Sequence, residues 1–193
     1  TSTLTVAVND GSSDNNFDAV ADQTVSAATT DNDVAGFTIV QSGGSTSVSE
    51  SGTTDTFTVV LNAQPASNVV LSISSSDSGE ATTTSLLTFT SGNWNTAQTV
   101  TVTGVNDNII DGTINSTLTL AIVDAITDNN FDSVADQTVS VATTDDDVAG
   151  FTIAQSGGST SVSESGSTDT FTVVLNAQPN SDVVLSITSG DTG

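Results

Sequence analysis

The chain has 193 residues, a formal net charge of −23 and no lysine, arginine or histidine. Nucleic acids and anionic membrane surfaces select basic side chains, so this composition excludes both as partners and favours cations as small ligands. Without cysteine the chain has no disulfide and no thiolate metal site, which leaves a hard ion held by oxygen atoms as the metal to expect.

Apolar residues make up 35% of the sequence and about half of them are Val or Ile, which favours an ordered fold over disorder. No apolar run approaches the roughly 18 residues of a membrane span, so we expect no membrane insertion. The N-terminus lacks the features of a signal peptide, and we expect the sequence to be an excerpt from a longer exported chain.

An internal repeat divides the sequence. Gly36-Phe37-Thr38-Ile39 recurs as Gly150-Phe151-Thr152-Ile153, a period of 114 residues, which suits a β-sandwich domain rather than a solenoid unit. Residues 36–149 are therefore predicted to form one complete repeat. Residues 1–35 would be the C-terminal part of a preceding repeat, and residues 150–193 the N-terminal part of the next.

Within the complete repeat, apolar residues alternate with Thr and Ser between turns rich in Gly, Asn, Asp and Pro, which predicts short strands and no helix. Seven strands in about 114 residues suit an immunoglobulin-like sandwich, so the predicted fold is all-β, with tandem antiparallel sandwiches. The predicted strands are, in chain order, Phe37–Gln41 with a continuation at Thr46–Ser49, Thr56–Asn62, Asn68–Ser74, Ser85–Thr90, Gln98–Val105, Ser116–Val123 and Gln137–Thr143.

The two terminal pieces would expose unpaired sheet edges and half of a core. Either the chain continues on both sides, or neighbouring copies complete the pieces and form a homopolymer. Both pieces together lack a counterpart of residues 80–114, so simple complementation would leave a domain incomplete.

The acidic residues of the complete repeat lie outside the predicted strands, and most fall in loops that such a sandwich brings to one end. Calcium takes about six to eight oxygen ligands, which this number of loops can supply. The alternative is a surface that is acidic only for solubility. The nine acids at this end are Glu50, Asp55, Asp77, Glu80, Asp107, Asp111, Asp145, Asp146 and Asp147.

Several short motifs together resemble the Calx-β domain of sodium–calcium exchangers and its relatives in large bacterial surface adhesins. They are Val48-Ser49-Glu50, Leu87-Thr88-Phe89, Thr99-Val100-Thr101-Val102 leading to Asn106-Asp107, Ile110-Asp111-Gly112 and the closing Asp145-Asp146-Asp147. The exchangers carry more acids than this chain between positions 107 and 111, which implies fewer ions or weaker binding here.

The resemblance implies calcium bound between successive domains. The ligands it implies are Glu50, Asp77, Asp107, Asp111, Asp145, Asp146 and Asp147. We expect Asp31 and Asp33 to act in the same way at the first junction, and Glu164 to be the counterpart of Glu50 in the next repeat.

A second acidic motif has the D-x-N-x-D spacing of a calcium loop at Asp128, Asn130 and Asp132, with an earlier copy at Asp14, Asn16 and Asp18. It lacks the glycine and the distal glutamate of an EF-hand, so an Asx-rich turn without a metal is the competing interpretation.

The leading functional hypothesis is an extracellular or cell-surface extender or filament module, whose neighbouring repeats are stiffened by calcium. The alternative is an adhesin module that binds a ligand or glycan, although 4% aromatic residues offer little for such a site. The single tryptophan, Trp94, could stack on a sugar, but we expect it to pack. An enzyme is not expected, because the chain lacks the His, Cys, Lys, Arg and Tyr that tune or clamp a reacting group.

Overall fold

The computed structural model describes residues 1–191, which form β-strands and short 3-10 turns. The prediction of an all-β protein is confirmed. The chain divides into two compact units, Thr1–Val34 and a second that begins at Ala35. Within the part of the chain that is described, no helix combines the length and the apolar character needed to cross a membrane.

The first unit is built on one antiparallel hairpin. Strand β1 (Ser2–Val6) pairs with β2 (Gln23–Ala27), and Leu4 lies opposite Val25. These two side chains are 57% and 55% exposed, because the hairpin has no second layer within the unit.

Residues 35–149 form a sandwich of two sheets. One sheet has the strand order β4-β11-β10-β6-β8 and the other the order β3-β5-β9-β7. The strands are β3 (Phe37–Gln41), β4 (Thr46–Ser49), β5 (Thr54–Leu61), β6 (Val69–Ser75), β7 (Ala81–Thr83), β8 (Leu86–Phe89), β9 (Gln98–Gly104), β10 (Ile114–Ile122) and β11 (Gln137–Thr144).

The core lies between these sheets and follows the predicted alternation. Phe57, Val59 and Leu61 of β5 point inward, and Leu118 and Leu120 of β10 meet them from the opposite sheet. Each such side chain contributes about 1.5–3 kcal/mol when it is fully buried. The repeat therefore has its own hydrophobic core.

Three details differ from the predicted strands. The segments 37–41 and 46–49 enter different sheets, since β3 pairs with β5 whereas β4 runs parallel to β11. The predicted strand Ser85–Thr90 is shorter, and the chain crosses between the sheets just before it, so that β7 joins β9 and β8 joins β6. The expectation that no acid lies in a strand is wrong for Asp55, whose Oδ2 accepts the Ser47 N–H at 2.9 Å.

The segment that begins at residue 150 repeats only the first hairpin. Strands β12 (Phe151–Gln155) and β13 (Phe171–Leu175) pair in the register of β3 and β5. Residues 176–191, which are all described, contain no strand, although they copy the region that includes β6. In the complete repeat, β6 is paired on both sides, with β10 and with β8.

Candidate metal centre

A parallel strand pair brings the first group of carboxylates together. Strands β4 and β11 run side by side, and the Glu50 N–H continues the pairing by donating to the Thr144 carbonyl at 3.0 Å. Because parallel strands end at the same edge, the residues that follow them are neighbours. Carboxylate oxygens of Glu50, Asp145 and Asp147 lie within 4.8 Å of one another.

A second group forms at the other sheet. Ala81 of β7 pairs with Gly104 of β9, so the residue before β7 lies beside the loop that follows β9. Oxygens of Glu80, Asp107 and Asp111 lie within 4.8 Å of one another. Residues 1–191 contain these two groups of three or more potential metal ligands.

Two glutamates in these groups are buried. Glu50 is 1% exposed and Glu80 is 7% exposed. Neither carboxylate oxygen of Glu50 has a hydrogen-bond partner among the described residues, and the same holds for Glu80 Oε2 and Asp147 Oδ2. A buried charged group is costly unless it is paired or binds a metal, and the chain has no basic side chain to pair with it.

Burial and mutual repulsion raise the pKa values of three carboxyl groups in these two groups. Burial, followed by repulsion from Asp107, raises the pKa of Glu50 from 4.5 to about 7. Burial likewise raises the pKa of Glu80, with Asp111 the largest of the repelling charges. Burial and the charge of Asp145 raise the pKa of Asp147. Each of these carboxylates is therefore destabilised as an anion by its surroundings.

Asp145 is the exception, because backbone donors hold it in place. Its Oδ2 accepts the N–H groups of Gly112 at 3.0 Å and Asp111 at 3.1 Å, and its Oδ1 accepts the Asp147 N–H at 2.7 Å. These bonds, with that of Gly112 the strongest, lower the pKa of Asp145. Gly112 has φ of 79°, a conformation that favours glycine. Asp145 thus fixes the 106–112 loop against the end of β11.

A close approach of two strands also shapes the centre. A Cβ atom at position 104 would collide with the Ser49 carbonyl oxygen. Only glycine permits this contact between the end of β9 and the end of β4. Gly104 therefore lets Glu50 lie beside the loop that carries Asp107.

Several predicted ligands stand outside these groups. Asp77 is exposed, and its Oδ1 accepts the Gly79 N–H at 2.9 Å, although its charge does act on Glu80. Asp146 is exposed and belongs to neither group. Glu80, in contrast, is one of the nine acids expected at this end but is not among the ligands that the resemblance implies. Glu80 lies directly before β7, and this strand is too short and polar to be recognised from the sequence.

The corresponding residues of the terminal segments are exposed. Asp31 accepts the Asp33 N–H at 3.0 Å, which reproduces the turn between Asp145 and Asp147. Glu164 occupies the position of Glu50 in the repeat but is exposed. Neither metal group includes these three residues.

The D-x-N-x-D motif forms a turn that anchors the chain. Asp128 is 5% exposed, and its Oδ2 accepts the N–H groups of Ala66 at 2.7 Å and Ser67 at 2.9 Å. Its Oδ1 accepts the Asn130 N–H at 3.0 Å, and these bonds, with that of Asn130 the strongest, lower its pKa. The carboxylate of Asp128 thus accepts three backbone N–H groups and ties this turn to the loop at residues 66–67.

The other members of this motif and its copy are more exposed. Asp132 and Asn130 are exposed, whereas Phe131 between them belongs to the core. In the copy, Asp14 Oδ1 accepts the Asn16 N–H at 2.9 Å, and Asn16 and Asp18 are exposed. The two described metal groups contain none of these residues.

Trp94 is partly buried and packs against the core, as expected from the sequence.

The loop that follows β9 also contacts the segment after Asp147. The Gln178 N–H donates to the Asn108 carbonyl at 2.6 Å, and Ile109 and Gln178 form an isolated parallel bridge. The loop that carries Asp107 and Asp111 therefore contacts the following segment directly.

Comparison with known proteins gives structural likenesses only. No protein-family model matches the chain, and no curated protein matches it. The E. coli chaperone DraB is similar at 7% identity and a TM-score of 0.41, over 60% of this chain and 59% of the chaperone. The apo form of the Calx CBD1 domain is similar at 15% identity and a TM-score of 0.41, over 57% of this chain and 98% of that domain.

Domains 1–6 of the surface layer protein SbsC are similar at 17% identity and a TM-score of 0.42, over 82% of this chain and 24% of theirs. The chain thus spans less than two thirds of the length of DraB and about a quarter of SbsC domains 1–6. At these scores the likenesses describe shared β architecture and carry no argument about function, which has to rest on the metal centre itself.

Proposed function

We propose that the chain is a calcium-stiffened structural repeat, an extender or filament module of an extracellular bacterial surface protein. The single observation that carries the proposal is the carboxylate of Glu50, which is buried without a hydrogen-bond partner among the described residues and lies beside Asp145 and Asp147. A cation supplies the opposite charge that the sequence lacks.

The donor set suits calcium. All donors are oxygens, the two groups offer six carboxylates, and loop carbonyls are close by, which matches the six to eight oxygen ligands of Ca²⁺ at about 2.3–2.6 Å. Glu50, Asp145 and Asp147 would hold one ion, and Glu80, Asp107 and Asp111 another. A bound ion would replace repulsion between these carboxylates with attraction to a common centre.

Stiffening follows from where the ligands lie. Asp107 and Asp111 flank Asn108 and Ile109, which contact Gln178 of the next segment. An ion held by the ends of this loop would order its middle, and with it the contact across the junction. The neighbouring repeats of the same chain are therefore the proposed partners.

The proposed location fits the expected affinity. Extracellular calcium modules bind with dissociation constants of about 10⁻⁴ to 10⁻³ M, concentrations that occur outside cells. A ligand at one hundred times its dissociation constant stabilises a folded protein by about 2.7 kcal/mol. A repeat of this kind would be rigid outside the cell and loose where calcium is scarce.

The test uses spin labels on cysteines introduced by Ser140→Cys and Val174→Cys, both exposed positions in a chain without cysteine. We expect the distance distribution between them to narrow in calcium and to broaden in chelator, with a higher melting temperature in calcium. Glu50→Gln should reduce both effects, whereas Asp77→Asn should leave them unchanged. Equal widths and equal melting temperatures in calcium and chelator would overturn the proposal.

A further inference from the structure

The loop between β9 and β10 contains an aspartate followed directly by a glycine, Asp111-Gly112. Both residues are exposed, and a Cβ atom added at position 112 would meet nothing within 4 Å. Glycine has no side chain of its own to shield its backbone nitrogen from the residue before it. The Gly112 nitrogen is therefore open to reaction with the carboxyl group of Asp111.

A proton acceptor for this nitrogen is already in place. The Gly112 N–H donates to Asp145 Oδ2 at 3.0 Å. A carboxylate at this distance can take the proton of a nitrogen that forms a new bond. The sequence contains a second such pair, Asp10-Gly11, but within residues 1–191 no hydrogen bond joins the Gly11 N–H to a carboxylate. The two pairs thus differ in the group that faces the glycine nitrogen.

The second metal group sets the direction of the Asp111 side chain. One of its carboxylate oxygens lies within 4.8 Å of oxygens of Glu80 and Asp107. Without a cation these three carboxylates repel one another, which favours rotation of the Asp111 side chain towards its own main chain. A calcium ion bound by all three opposes that rotation, since it would break the coordination, and this step rests on the proposed function. Calcium and the Gly112 nitrogen therefore compete for one carboxyl group.

We propose that Asp111-Gly112 is a site of isoaspartate formation and that bound calcium protects it. The Gly112 nitrogen forms a bond to the side-chain carboxyl carbon of Asp111 and gives its proton to Asp145. One carboxyl oxygen leaves as water, with the carboxyl proton and the proton that Asp145 passes on. Water then opens the resulting succinimide at one of its two carbonyl groups, which yields isoaspartate or restores aspartate.

The product changes both the loop and the metal group. In isoaspartate the main chain runs through the former side-chain carbon, so the loop gains one methylene group and the free carboxyl group lies on a shorter arm. Position 111 then loses its place in the second metal group. The same loop carries Asn108 and Ile109, which contact Gln178. A long period without calcium thereby turns a reversible loss of stiffness into a permanent one.

Incubation of the full chain in calcium or in chelator tests the proposal, and the sequence supplies an internal control. Glutamate occurs at positions 50, 80 and 164, so cleavage after glutamate places Asp10-Gly11 in fragment 1–50 and Asp111-Gly112 in fragment 81–164. Isoaspartate in each fragment is measured by methylation with an isoaspartyl methyltransferase. Electron-transfer fragmentation in the mass spectrometer then locates it, because the two isomers have equal mass.

In chelator we expect isoaspartate to accumulate at Asp111 and to fall several-fold in Asp145→Asn, which lacks the proton acceptor. The amount at Asp10 should be the same in the wild type and in this variant. Melting curves in chelator establish that both chains are folded during the incubation. Absence of isoaspartate at Asp111 in chelator would overturn the proposal. An unchanged or larger amount in Asp145→Asn would overturn the role of Asp145.

Calcium should lower the amount at Asp111 several-fold and leave that at Asp10 unchanged. Glu80→Gln, in which the second fragment becomes 51–164, should weaken this protection, whereas Asp77→Asn should keep it. Equal amounts at Asp111 in calcium and in chelator, in a chain shown by titration to bind calcium, would overturn the protection. A chain that binds no calcium contradicts the proposed function, while isoaspartate at Asp111 in chelator still supports the modification site.

Discussion

Phe37 and Phe151 begin two nearly identical stretches of sequence, yet one is 3% exposed and the other 51%. Both stretches form the same hairpin in the same register, with Phe37 opposite Leu61 and Phe151 opposite Leu175. Both also repeat a local bond, from Thr38 to Asn62 at 2.8 Å and from Thr152 to Asn176 at 2.9 Å. Hairpin structure is therefore set locally, whereas burial depends on strands far along the chain.

The burial of the acidic residues also depends on strands that are distant in the sequence. Glu50 is buried because β4 lies beside β11, which follows it by about ninety residues of chain. Glu164 has the same neighbours in sequence and is exposed. Among the described residues, the buried carboxylate groups thus form only in the complete sandwich. Matched substitutions in the two stretches separate local from long-range contributions.

The largest difference is expected for the core phenylalanines. Phe57→Ala removes a side chain that is 1% exposed and should lower the free energy of unfolding by about 3–5 kcal/mol. Phe171→Ala affects the corresponding side chain, which is 40% exposed, and should cost far less. Urea unfolding of the two variants measures both values. Similar losses would mean that the segment after residue 150 is packed as tightly as the complete repeat.

A smaller difference is expected for the two D-x-N-x-D turns. Asp128→Ala leaves the N–H groups of Ala66 and Ser67 without their acceptor, and should lower the melting temperature by roughly several degrees. Asp14→Ala removes bonds within its own turn only, and should change it little. If calcium protects the wild-type Asp128 turn from exchange of these amides, the motif is a metal site after all.

The pH dependence of folding stability should differ between the calcium-free and the calcium-saturated chain. The pKa of Glu50 is raised to about 7, and those of Glu80 and Asp147 are raised too, so without calcium the folded chain binds more protons than the unfolded chain. Stability should therefore fall as the pH rises from about 4.5 through 7. Saturating calcium keeps these groups ionised and should abolish that fall.

Thermal unfolding from pH 5 to pH 8, in chelator and in calcium, measures this effect. Glu50→Gln removes the largest raised pKa and should flatten the profile in chelator, whereas Glu164→Gln should not. A calcium-free chain that gains stability between pH 5 and pH 8 would contradict the account. Below about pH 4 stability should fall in either condition, because the lowered pKa values of Asp128 and Asp145 stabilise only their ionised forms.

The sequence predicts those parts of the fold that depend on local interactions better than those that depend on distant strands. Alternation of apolar residues placed strands such as β5 and β10 and their inward side chains, because period-two patterning is a local property. The sequence does not reveal the split between β7 and β8, since Ala81-Thr82-Thr83 has no apolar alternation. Glu80 is among the acids that the sequence places at this end, but the motif resemblance does not include it in the ligand set.

The carboxylate set was predictable in outline but not in detail. Charge without a counterion indicated a cation site at one end of the sandwich, and the structure brings Glu50, Asp107, Asp111, Asp145 and Asp147 together there in two groups with Glu80. Asp77 was also expected, but its carboxylate closes a turn with Gly79. Such local competition depends on backbone geometry that composition does not encode.

The central claim is that the groups around Glu50 bind calcium, and calorimetric titration of calcium into the chain tests it most directly. We expect saturable binding by the wild type, weaker by about tenfold or more for Glu50→Gln and nearly unchanged for Asp77→Asn, since each tenfold reports about 1.4 kcal/mol of lost binding energy. No saturable binding, or equal affinity of the wild type and Glu50→Gln, would contradict the account.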